Sequence, residues 1–85
     1  TGPFGQFLAK VKDIEKLKKG VDAIVAFRDA IPESFREQTD PFINGSVLKT
    51  LLNKKEEALK NNPADVQLLQ QQIDYIKQKL EKKGF

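Results

Sequence analysis

Val66-Gln67-Leu68-Leu69-Gln70-Gln71-Gln72-Ile73-Asp74-Tyr75-Ile76-Lys77-Gln78-Lys79-Leu80 decides the fold class. Val66, Leu69, Ile73, Ile76 and Leu80 recur at steps of three, four, three and four, which draws one apolar seam down a helix. Gln67, Gln70, Gln71, Gln72, Lys77, Gln78 and Lys79 fill the remaining faces and read as solvated. Upstream, Asn61-Asn62-Pro63 breaks the chain: Asn62 suits an N-cap, Pro63 the first helical position and Asp65 the first turn. Downstream, Lys79, Lys82 and Lys83 suit the dipole at the helix end. Two heptads make an ordinary bundle helix rather than a coiled coil.

Working outward, three more segments carry the same period. Phe4, Phe7, Leu8, Val11, Ile14 and Leu17 predict a first helix over about 4–18, closed by Lys18-Lys19-Gly20. Val21, Ile24, Val25 and Phe27 or Arg28 predict a second over about 21–30. Pro32 stops it, because the residue before a proline is pushed away from helical angles. Glu33 to Thr39 is a polar connector. Asp40 then suits an N-cap and Pro41 a first helical residue, opening a third helix with Phe42, Ile43, Val47, Leu48, Leu51, Leu52 and Leu59. Gly45 argues for a later start, at Asn44 or Ser46, because glycine inside a helix costs about 1 kcal/mol against alanine. The expected fold is all-α: four helices as two helical hairpins, packed as a bundle or a short HEAT-like pair.

Eighty-five residues make one domain, 1–85, with a modest core. Apolar residues at 39% and charged residues at 32% place it among folded rather than disordered chains. The chain opens at Thr1 without Met and reads as a fragment of a longer one. No segment reads as a signal peptide or reaches the roughly 20 apolar residues of a membrane span.

The residues for chemistry are few. With neither Cys nor His, there is no disulfide framework, and the common zinc, copper and iron sites cannot be built. The usual proton shuttle of neutral pH is missing too. Ser46-Val47-Leu48-Lys49 matches the S-x-x-K pattern of penicillin-binding enzymes, but S-D-N and K-T-G are absent; a helix-start serine and a solvated lysine explain it. Asn44-Gly45-Ser46 has the form of a glycosylation acceptor and also of a helix start. Glu56-Glu57, Asp13 with Glu15, and Glu33 with Glu37 sit among lysines such as Lys54, Lys55 and Lys16. They read as exposed, ion-paired faces rather than as a buried acid–base dyad. We therefore expect no catalytic, cofactor-binding or metal-binding residue in this segment.

The net charge is +3. Lys10, Lys12, Lys16, Lys18 and Lys19 cluster near one end and Lys77, Lys79, Lys82 and Lys83 near the other. These clusters lack interleaved aromatics, and Arg28 and Arg36 are the only arginines, which disfavours nucleic-acid reading. Phe4, Phe7 and Phe35 have two readings, core packing or docking onto a neighbour.

Ala23-Ile24-Val25-Ala26-Phe27-Arg28-Asp29-Ala30-Ile31-Pro32-Glu33-Ser34-Phe35-Arg36-Glu37-Gln38-Thr39-Asp40-Pro41-Phe42-Ile43-Asn44-Gly45 resembles the extreme C-terminal region of bacterial zinc aminopeptidases of the aminopeptidase N type, the gluzincins. The likeness covers mainly Lys12 to Lys55; the glutamine-rich tail from Asn61 lies outside it. The resemblance implies a helical, often HEAT-like C-terminal domain without the zinc motif H-E-x-x-H, which lies elsewhere in such chains. It implies a non-catalytic domain that shapes or covers access to the peptidase site of a parent chain. Zinc would belong to that parent, the partners would be its other domains, and peptide substrate would be met only indirectly. The alternative is a free-standing helical adaptor that binds a partner through apolar helix faces, foremost the seam of the fourth helix.

Overall fold

The computed structural model describes residues 2–61 and 63–85. The fold is all-α: α1 (Gly2–Lys10), α2 (Ile14–Ala30), α3 (Ser46–Asn61) and α4 (Val66–Lys83), with 3-10 turns at Glu33–Phe35 and Pro63–Asp65.

The first break lies at residues 11–13, not at Gly20. Asp13 sets it. Its Oδ1 accepts from the backbone N–H of Glu15 at 2.9 Å and of Lys16 at 3.1 Å, satisfying two of the donors a helix start leaves open. The expected first helix over 4–18 is therefore split, and α2 runs straight through Gly20. That glycine is buried in the helix interior because Leu8 of α1 lies against it: a Cβ there would sit 2.3 Å from Leu8 Cδ2. It serves close approach between two helices rather than a left-handed cap.

Ile31 leaves α2 in extended geometry ahead of Pro32, as expected. Arg36 folds back and its Nε donates to the carbonyls of Arg28 at 3.1 Å and Ile31 at 2.8 Å. The stretch after Asp40 is a turn, and α3 starts at Ser46, the later of the expected positions. Asp40 Oδ1 accepts from the Phe42 N–H, and Asn44 Oδ1 from the Ser46 N–H, each at 2.9 Å. Gly45 has φ +88°, which a helix running on from Pro41 does not accommodate. The Gly45 carbonyl accepts the first bond of α3, from the Lys49 N–H. The cap expected at Asn62 lies outside the described residues. At its other end α4 closes on Gly84 at φ 67°, with the Phe85 N–H donating to the Leu80 carbonyl.

The helices form two antiparallel hairpins stacked like on like. Leu8 meets Gly20 while Phe4 borders Ala23 and Phe27, so α1 runs against α2. Between hairpins, α1 lies parallel to α3, with Lys55 at its end. α2 lies parallel to α4, with Asp22 beside Tyr75 and Asp29 beside Lys83. This is how successive helix pairs stack in an α-solenoid. The core joins Leu8, Leu17, Val21, Ile24, Leu48, Leu51 and Ile76. The seam of α4 is spent here: Leu69, Ile73 and Ile76 are buried in the domain's own interior, and Val66 alone of the five is exposed.

Gly20→Ala is expected to destabilise the domain by about 1 kcal/mol, a clash of roughly 1–3 kcal/mol with Leu8 outweighing the gain in helix propensity. In urea melts of the double variant with Leu8→Ala, the two costs should add to less than their sum. Strict additivity would show that Leu8 does not set the need for glycine.

Candidate functional site

The candidate chemical groups are not brought together. Ser46 and Lys49 are both exposed at the start of α3, and no hydrogen bond joins them. Asn44 is occupied structurally: its Nδ2 donates to the Gln38 carbonyl at 2.7 Å while its Oδ1 holds Ser46. Asp13 caps α2, and Glu56 lies 3.8 Å from Lys77. Among the described residues no three His, Cys, Asp or Glu side chains form a group that could hold a metal ion. Among the described residues no helix is long and apolar enough to cross a membrane.

Two polar side chains read as solvated are instead buried. Lys55 is 2% exposed and Gln72 is fully enclosed. Both serve the end of α1, whose last carbonyls have no partner within their own helix. Lys55 Nζ donates to the carbonyls of Val11 at 2.6 Å and Ala9 at 3.2 Å. Gln72 Nε2 donates to those of Val11 at 3.0 Å and Lys12 at 2.9 Å. Gln72 Oε1 is buried without a partner among the described residues. Burial pushes the Lys55 amine down to about 8. The end of α1 carries negative dipole charge, and the ammonium sits on it. The signal in the sequence was slight: Lys55 stands four residues after Leu51, on the buried stripe of α3.

The lysine clusters divide by partner. Lys79 lies 3.5 Å from Asp22, and Lys83 binds Asp29 at 2.8 Å. That bond holds the Asp29 carboxyl below the usual carboxylate range. Lys18 and Lys79 flank the ring of Tyr75, at 5.4 and 5.3 Å from its centroid. The Tyr75 hydroxyl donates to Asp22 at 2.5 Å. Desolvation and then this bond push the phenol up to about 12, away from the reactive phenolate. Lys12 lies 3.6 Å from Asp65. These contacts tie helices together. Lys10, Lys16, Lys19 and Lys82, in contrast, are exposed and make no ion pair among the described residues.

What remains is an aromatic face on the first hairpin. Phe4, Phe7 and Phe27 are 38%, 57% and 50% exposed. A hollow of 220 Å³ lies among Phe4, Ala23, Ile24, Phe27 and Phe42. A second, of 310 Å³, lies among Phe4, Phe7, Leu8, Lys16, Lys19, Gly20 and Ala23. They share Phe4 and Ala23 and make one groove along α1 and α2. Phe35 is 74% exposed on the connector. Of the two residues the period allows for the last stripe position, Phe27 or Arg28, the structure takes Arg28. On one continuous helix the buried stripe runs Leu17, Val21, Ile24 and then Arg28, which turns Ala23 and Phe27 outward.

No family model, no curated protein and no solved structure matches this chain.

Lys55 gives a pH signature. Its amine is lowered on folding, so between about pH 8 and 10 the unfolded chain binds more protons and stability should rise with pH. Tyr75 is raised, so above its ordinary value near 10 the stability it supports should fall away. Urea midpoints from pH 7 to 9.5 should climb in the wild type and stay flat in Lys55→Met. Equal slopes would place the Lys55 amine in contact with water.

Proposed function

We propose that this chain is a non-catalytic helical docking domain, working through the aromatic groove of its first hairpin. The observation that carries the reading is that half-exposed Phe4, Phe7 and Phe27 line two adjoining hollows on one face. A scattered exposed apolar residue needs no explanation, whereas three aromatics around two adjoining hollows mark a surface for a partner. The seam of α4 is not the docking face in this reading, since its central residues fill the core. The resemblance of residues 23–45 supplies a setting: the tail of a zinc aminopeptidase, with the groove turned toward other domains of that chain and zinc held elsewhere.

Photo-crosslinking residues placed singly at positions 7, 27, 53 and 70 of the natural full-length chain test this in cells. Phe7 and Phe27 lie on the proposed face, while Asn53 and Gln70 are exposed on the second hairpin. Crosslinks should concentrate at 7 and 27 and map to one contiguous surface, on one other protein or on another domain of the same chain. Crosslinks spread evenly over the four positions would overturn the docking reading.

A further inference from the structure

We infer that the occupant of this groove is an amphipathic α-helix carrying Asp or Glu beside its apolar anchors. The inference rests on the docking reading above and adds the chemistry of the partner.

Charge carries it. Several lysines make no ion pair among the described residues, and two of them, Lys16 and Lys19, line the groove's edge, where no Asp or Glu joins them. Phe4, Phe7 and Ala23 make an apolar floor, and the Lys16 and Lys19 ammonium groups give it a basic rim. A partner laying apolar side chains on that floor brings its flanking residues to the rim. Acidic flanks are attracted there and basic ones repelled.

Shape argues for a helix. The groove follows α2 from Lys16 to Phe27, about three turns or roughly 16 Å at 1.5 Å per residue. That length matches apolar anchors at i, i+4, i+7 and i+11 of a docked helix. Leu8 packs into the space over Gly20 and underlies this stretch of the groove. Two hollows in line along α1 and α2 accept successive side chains of a docked helix. The basic residues gather at the Lys16 end and the aromatic pair Phe27–Phe42 at the other, their rings 6.2 Å apart and edge to face. The acids of the bound helix therefore belong at one end of it.

The test is a display selection against the 85-residue chain. The library consists of 18-residue helices with fixed Leu anchors and flank positions open to Glu, Gln or Lys. Affinities are then read by fluorescence anisotropy for the wild type, Phe7→Ser, and the double variant Lys16→Glu/Lys19→Glu, each confirmed as folded by circular dichroism. Glu should be enriched at the flanks of one end. Phe7→Ser should abolish binding, and the charge reversal should weaken it about tenfold and favour Lys-flanked helices instead. Binders that depend on Phe7 but show no Glu excess and ignore the charge reversal would sink the acidic partner and leave the docking reading standing. An absence of any Phe7-dependent helix would sink the helical partner. Phe7-dependent sedimentation with phosphatidylserine vesicles would then assign the face to a membrane, and a Phe7-dependent dimer would assign it to a second copy of this chain.

Discussion

The structure depends on how the end of α1 is satisfied. A helix of nine residues has as many open carbonyls at its end as a long one, and far less of its own surface to hold it in place. Those carbonyls lie inside the domain, where an unmet acceptor costs roughly 1–3 kcal/mol. Lys55 from α3 and Gln72 from α4 meet them together, sharing the Val11 oxygen. One set of bonds thus ties the first hairpin to both helices of the second. Burying an ammonium is itself costly, which is why the Lys55 amine is lowered toward 8. The negative end of the helix dipole offsets part of that cost.

The second hairpin was legible in the sequence and the first was not, for a physical reason. In α4 the seam residues have polar neighbours on every other face, so the period shows without competition. In α2 two glycine roles compete. Gly20 after two lysines has the form of a helix end, and it also has the form of a close contact. Only the tertiary position of Leu8 decides between them. Asp13 was the local signal that settles the break, since its side chain takes two of the open donors at the start of α2. Lys55 and Gln72 were misplaced for a related reason. Composition treats Lys and Gln as surface residues, and a buried one is recognised only when its partner, here a helix end 44 to 61 residues away in sequence, is in view.

The same competition sets where the aromatics go. Once α2 is continuous, its inward stripe is Leu17, Val21, Ile24 and Arg28, and the last of these lays its guanidinium over the Phe85 ring at 4.5 Å. Phe27 is then forced outward, and with it the wall of the groove. α1 has no freedom to compensate. It is fixed at one end by the Lys55–Gln72 clasp and along its length by Leu8 against Gly20, so Phe4 and Phe7 stay partly in water.

Leaving those rings half exposed forgoes roughly 1 kcal/mol each of burial free energy. That is a sizeable fraction of what a small domain has in reserve, since folded chains are stable by only about 5–15 kcal/mol. A sequence under pressure for stability alone has an easy remedy, because polar substitution at 7 or 27 removes exposed apolar surface without touching the core. The exposed rings persist beside Lys16 and Lys19, which make no ion pair among the described residues. Apolar surface and unspent charge lie on the same face. A partner that covers the first and neutralises the second accounts for both, whereas the stability of the isolated domain accounts for neither.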